Sequence, residues 1–326
     1  MKTVKAFSNL GAITLLLALG LAFSSASAQN PLRVAVVMPS AINDLAFSQS
    51  MYDALTQLQD EGLITFDYAD GTFVVDDAAA ALRDWASQGY DLVIAHGTQY
   101  GSALQEIAPD FPEVSFAWGT ANDTFGLENV FAYEPEADEG GYVNGVLAAQ
   151  LSEDGTIGVV GPVEAGDAKL YIDGFAAGVA ATNPDAQVNI SYTGSFSDVA
   201  LATEAANTQL LAGADVMTGT SQMVVGPVGV AQNAGVPWFA TQADQTSLAP
   251  DTVVASQVYD WTGIMKSIIE NVNNGVLGGE AYTATLENKG LVMAYNDGYA
   301  LSAEVRAAGD AAAAGIIDGS ITPLGD

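Results

Sequence analysis

No cysteine occurs in the 326-residue chain, and His96 is its single histidine. The first absence excludes disulfides, thiol catalysis and thiolate metal sites. The second removes most zinc chemistry and the serine–histidine–aspartate arrangement, since both depend on imidazole. Basic residues are almost as scarce. Eight Lys and Arg stand against 39 Asp and Glu, for a formal net charge of −31. Nucleic acid and anionic membrane are thereby excluded as partners, because both are held by basic patches. The same scarcity bears on any bound small molecule. Carboxylates and phosphates are usually gripped by Arg or Lys, so a neutral or cationic ligand is favoured. Solubility, for instance in a salty medium, accounts for most of the acidity.

The N-terminus reads as a leader. Lys2 and Lys5 precede an apolar run over residues 12–23, and Ser24-Ser25-Ala26-Ser27-Ala28 supplies a small-residue cleavage site. A signal peptide over 1–28 is expected, with cleavage near Ala28. The run is too short for a comfortable membrane span. No cysteine follows it to carry a lipid anchor. The expected product is soluble and periplasmic.

After Arg33, short apolar runs alternate with amphipathic segments. Strands are read at 34–38, 63–68, 92–95, 114–118 and 130–133, with helices between them. The pattern then restarts, with strands at 156–161, 187–192, 216–219 and 237–240. A further strand at 252–258, a helix at 261–274, strand character through 286–293 and a last helix at 304–318 complete the chain. Such alternation specifies α/β architecture with parallel, doubly wound sheets. Two units of similar size predict two lobes whose strand-end loops face each other across a cleft.

The stretch Pro39–Gln49 lies between the first strand and its helix, the usual ligand position in an open α/β sheet. Asn43 and Asp44 offer polar atoms there, and Phe47 a flat apolar face. Turn formation, helix capping and core packing are the plain alternatives for these three. His96 and Gly97 end the third strand, Trp118 and Thr120 the fourth. Phe196 and Gln222 follow strands of the second unit. Gln242 and Asp244 follow the strand at 237–240, and Asp260 sits near the last crossing between units.

The segments INDLAFSQ, EPEADEGGYVNGVLAA, YIDGFAAGV, NPD, GSFSDVALATEAANTQLLAGADV and ADQTSLAPDTVVASQV fall in the order and spacing of one family. Across the mature chain the sequence resembles the basic membrane protein (BMP) family of ABC-transporter substrate-binding proteins, which includes the purine nucleoside receptor type. The resemblance implies a type I periplasmic binding protein. Two lobes would be joined by a three-crossover hinge, 29–133 plus 252–285 and 134–251 plus 286–326, with ligand in the cleft. It places Phe47 as the ring that stacks on a base; Phe196 in the second unit is the candidate opposing ring, with packing under its loop as the alternative. Asn43 and Asp44 lie in the family's matching polar loop. Strand-end position makes His96, Gly97, Trp118, Thr120, Gln222, Gln242 and Asp244 further candidate ligand contacts, and the last crossing adds Asp260; a structural histidine and a core Trp are the plain alternatives for His96 and Trp118.

The chain also departs from the family pattern. Nucleoside-binding members carry acidic residues near Thr120 and at Gln242, and a lysine at Gln257; all three positions are neutral here. A purine base is therefore expected ahead of a nucleoside. A membrane permease and ATPase are the implied partners, the protein is expected to be a monomer, and no cofactor or metal is implied. A sensor, or a sugar or autoinducer binder of the same fold, is the alternative. No catalytic set is read from the sequence. The paired acids Asp76-Asp77 and Glu134-Pro135-Glu136 are explained by a helix start and a loop.

Overall fold

The computed structural model describes residues 30–325; the expected leader lies outside them. The first sheet contains β1 (Leu32–Val37), β2 (Ile64–Ala69), β3 (Leu92–His96), β4 (Ser115–Gly119), β5 (Val130–Pro135) and β11 (Ala281–Ala284). Their order is β11-β5-β4-β3-β1-β2, and every pairing is parallel. The second sheet contains β6 (Thr156–Gly161), β7 (Gln187–Tyr192), β8 (Val216–Gly219), β9 (Trp238–Gln242), β10 (Val253–Tyr259) and β12 (Leu291–Tyr295). Its order is β12-β10-β9-β8-β6-β7, parallel except for the antiparallel pair β10–β12.

Burial explains why these segments form strands. β3 and β4 are buried at every residue, as central parallel strands covered on both faces must be. β2 and β7 lie at sheet edges and alternate with solvent. Helices α1 (Phe47–Asp60), α2 (Val75–Ser87), α3 (Gly101–Ile107) and α8 (Thr262–Asn273) pack with the first sheet. Helices α4 (Ala137–Leu151), α5 (Gly166–Thr182), α6 (Val199–Leu211), α7 (Val225–Ala234) and α9 (Ala303–Ile317) accompany the second.

The segments EGGYVNGVLAA and YIDGFAAGV form the contact between α4 and α5, the most extensive helix pair in the molecule. A Cβ on Gly145 would lie 2.1 Å from the Phe175 carbonyl oxygen, and one on Gly178 2.1 Å from that of Tyr142. Gly141 and Gly174 likewise face the backbone of Tyr171 and Asp138. Glycines four apart on both helices thus let the two backbones touch. These motifs set a packing distance that any side chain would enlarge.

The chain passes between the sheets at three places: β5 into α4, β10 into α8, and β11 into β12. The expected boundary at 252 is corrected here. Val253–Tyr259 pairs with β9 and β12, so it belongs to the second sheet and the crossing falls at Asp260–Trp261. An apolar strand followed by a helix does not reveal from sequence which sheet's edge it joins. Of the strand character expected through 286–293, only β12 (Leu291–Tyr295) forms, in the second sheet; a separate strand just before it, β11, joins the first. β11 is exposed at two of its four residues, which hides its apolar signal.

At the third crossing the Glu139 carboxylate accepts the Leu286 N–H at 2.6 Å. Burial, reinforced by neighbouring Asp138, Glu136 and Glu287, pushes the Glu139 carboxyl up to about 7. Burial, with Glu136 beside it, pushes Asp138 up to about 6. A raised carboxyl pKa means that the folded state holds the proton more tightly than the unfolded chain. Its stabilising contribution is complete below the unfolded pKa and is lost as pH rises through the folded one. Glu139→Gln keeps an acceptor for Leu286 and removes the charge. We expect it to match the wild type near pH 4 and to exceed it increasingly from pH 5 to 8. Glu139 is only partly buried, so solvent screening cuts the gain at pH 8 to on the order of 1 kcal/mol, read as a melting-temperature difference of about 2–3 °C. Equal melting temperatures at pH 8 would remove this account.

Candidate functional site

A cavity of about 310 Å³ opens where the carboxyl ends of both sheets meet. Its wall on the first-sheet side comes from Pro39 after β1, Phe73 after β2, Gly97 to Gln99 after β3, and Thr120 after β4, with Phe47 at the start of α1. The facing wall comes from Val163 and Ala165 after β6, Gly166 to Ala168 in the first turn of α5, Phe196 after β7, Ser221 and Gln222 after β8, and Gln242 at the end of β9. This is where an open α/β sheet places its ligand. Among the described residues, no lysine or arginine lines it.

Phe47 is held from behind by a column of rings. It stacks on His96 with centroids 3.9 Å apart and planes 9° from parallel, and His96 stacks in turn on Tyr133 at 5.9 Å. Trp261 packs edge-on against His96 and Tyr133, and its indole N–H donates to Ser50 Oγ at 3.0 Å. His96 is fully buried. Its Nε2 lies 3.2 Å from the Phe47 carbonyl, which can only accept, so that nitrogen carries the proton. Nδ1 then accepts the Tyr133 hydroxyl at 2.9 Å. Burial pushes the imidazole down to about 3, so it stays neutral and acts as a backing plate for Phe47. As the chain's one histidine, it should show no titration of its ring signals between pH 5 and 8 by NMR. A shift with a midpoint near 6.5 would contradict this packing.

The opposite wall centres on a residue that the sequence did not single out. Asp167, in the first turn of α5, accepts Gln242 Nε2 at 3.1 Å and the Tyr259 hydroxyl at 3.2 Å, both on Oδ2. Burial raises its pKa, against hydrogen bonds from Gln242, Tyr259 and the helix-start N–H groups that favour the charged form. Gln242 is 3% exposed and its Oε1 has no partner. Both Gln242 and Ser221 hold left-handed backbone angles, φ 74° and 81°, without being glycine. Strain of that kind persists where surrounding contacts over-determine it and concentrates at ligand sites. Phe73 and Phe196 meet at 6.3 Å, one ring from each side of the cavity.

Of the twelve residues singled out from sequence, Phe47, Gly97, Thr120, Phe196, Gln222 and Gln242 line the cavity. The others lie elsewhere. The Asp44 carboxylate caps α1 through the N–H groups of Ala46, Ser48 and Gln49, at 2.9, 3.1 and 3.1 Å. Asn43 is exposed beside it and does not line the cavity. His96 sits behind Phe47. Trp118 stacks on Phe125 at 4.6 Å and donates to the Gly97 carbonyl. Asp244 is exposed and accepts the Thr246 N–H. Asp260 lines a separate hollow with Lys266 and Lys289 and accepts the Thr262 N–H. These polar residues make the turn and cap contacts that their types favour. Gln257 lies beneath the cleft, joined to Thr241 and the Ala137 carbonyl.

Phe73, Thr98, Gln99, Asp167 and Ser221 were missed. A position just past a strand end was the available signal for most of them. Asp167 was hidden by composition, since in so acidic a chain one more carboxylate carries no information.

Residues 32–311 match the family model described as ABC transporter substrate-binding protein PnrA-like. The chain belongs to the BMP family. A transcriptional activator protein of Bacillus subtilis, med, is 26% identical over 255 residues, covering 77% of this chain and 78% of that protein. A purine-binding protein of Brucella abortus is 29% identical over 185 residues, covering 57% of this chain and 52% of that one. Among solved structures, an ABC transporter solute-binding protein of Conexibacter woesei superposes with a TM-score of 0.74 at 24% identity. That match covers 89% of this chain and 98% of that one. The fold is that of type I periplasmic solute-binding proteins. The family is one of extracytoplasmic ABC transporter substrate-binding proteins, which bind small molecules and work with a membrane permease. Among the described residues no helix is long and apolar enough to cross a membrane.

Proposed function

We propose that this BMP protein is a periplasmic receptor that captures a purine base or nucleoside in the cavity and delivers it to an ABC permease and ATPase. The observation that carries the reading is Phe47. Its ring lines the cavity and is backed by the His96–Tyr133 stack, so it is a rigid flat face with no cation near it. Stacking of a base on such a face is worth about 1–3 kcal/mol. The purine-binding name of the Brucella relative supports the same class. The site draws on Phe47, Gly97, Thr120, Phe196, Gln222 and Gln242, joined by Phe73 and Asp167. The two sheets with their helices act as lobes that close by rotation at the three crossings.

Calorimetry against adenine, hypoxanthine, adenosine, inosine, ribose and glucose tests the reading. Binding by at least one purine or nucleoside, and weaker or absent binding of the sugars, is expected. Heat from sugars alone would overturn it. A sensing role is the second reading, favoured by the transcriptional-activator name of the Bacillus subtilis relative. Loss of purine uptake on deleting the gene supports transport; unchanged uptake with altered transcription supports sensing.

A further inference from the structure

Asp167 and Gln242 form one hydrogen-bonded unit in the cavity wall, joined from Gln242 Nε2 to Asp167 Oδ2 at 3.1 Å. The carboxylate can only accept, so it fixes which end of the amide faces it. The nitrogen turns to Asp167, and the carbonyl Oε1 is left without a partner although Gln242 is 3% exposed. Tyr259 reinforces the arrangement by donating to the same Oδ2 at 3.2 Å. Gln242 combines this contact with a left-handed backbone, φ 74°. At this pair the groups left over are carboxylate and carbonyl oxygens, which accept. Buried acceptors left unmade are costly, and a ligand carbonyl placed against them would be repelled.

We propose that the Asp167–Gln242 pair is a specificity element that selects heteroaromatic ligands bearing an exocyclic amino group over their oxo counterparts. The inference rests on the purine reading above and deepens it. An amino group gives two N–H donors in the ring plane, while the ring stacks on Phe47. An oxo group at the same place offers only lone pairs to oxygens that cannot donate. Asp167 is the selecting residue because it sets the amide's direction. Replacing it with asparagine supplies an N–H that Gln242 Oε1 can accept. The glutamine amide then turns over and shows its own N–H to the ligand.

The test compares adenine with hypoxanthine by calorimetry, on the wild type and on Asp167→Asn. The wild type is expected to bind adenine at least tenfold more tightly. Asp167→Asn should erase or invert that preference while adenine and hypoxanthine binding remain measurable. Equal affinities in the wild type, or tighter hypoxanthine binding, would overturn the proposal without reference to any variant. So would a variant that weakens both bases by the same factor. Binding of neither base and neither nucleoside (adenosine, inosine) to the wild type, in a preparation with a cooperative melting transition, removes the purine reading and this proposal together; where nucleosides alone bind, adenosine against inosine replaces the two bases in the same comparison. Binding of both without amino preference removes this proposal alone.

Discussion

Replacing Gly145 with alanine is expected to lower the melting temperature, although the same change in an unhindered helix raises it. Alanine removes backbone entropy from the unfolded chain and normally adds about 0.5–1 kcal/mol of stability in a helix interior. At Gly145 the new methyl would lie 2.1 Å from the Phe175 carbonyl oxygen and 2.9 Å from its carbon. Those atoms belong to a helix backbone and cannot rotate away. The helices must separate, which opens the contacts around Gly141, Gly174 and Gly178 as well. Overpacking of this type costs about 1–3 kcal/mol and sometimes more. The backbone neighbour places Gly145→Ala at the upper end, a loss of about 5–10 °C for a chain of this size. Valine should be worse still. Gly229→Ala in α7 is the matched control, because nothing lies within 4 Å of its added Cβ. Its melting temperature should stay level or rise slightly. If both variants behave alike, α4 and α5 do not meet backbone to backbone.

Phe47→Ala should weaken purine binding by tenfold or more, about 1.4 kcal/mol or above, within the range for loss of a stacked ring. Phe47 is also 6% exposed and part of the core over α1, so alanine removes packing too. Loss of stability on the order of 2–3 kcal/mol is expected alongside. Phe47→Leu separates the two effects. Leucine fills most of the volume against His96 but offers no flat face. It should restore most of the melting temperature and little of the affinity. Leucine binding as tightly as phenylalanine would show that the position serves packing alone.

The alternation of apolar and amphipathic segments made the α/β class legible, because a strand buried on both faces has to be an unbroken apolar run such as Val34–Val37. The strand-end rule made part of the cavity legible by the same logic: Gly97, Thr120 and Gln242 are where β3, β4 and β9 release the chain. The rule failed where a polar side chain had a nearer backbone partner. Asp44 and Asp260 sit at suitable strand ends, yet each carboxylate accepts backbone N–H groups a few residues ahead. Sequence cannot tell a cap from a contact, since both call for the same residue types in the same loops.

The sequence alone determined the two-unit α/β architecture, the family, the scarcity of cationic side chains, and the loop that carries Phe47. Those properties follow from periodicity, composition and local order along the chain. Only the tertiary structure decided that Val253–Tyr259 joins the second sheet, that His96 supports Phe47 from behind, and that Asp167 orients Gln242 from 75 residues away. Each of these depends on which distant segments become neighbours. Hydrogen bonds and ring stacks act over a few ångströms of space, and that proximity is set by packing rather than by order along the chain.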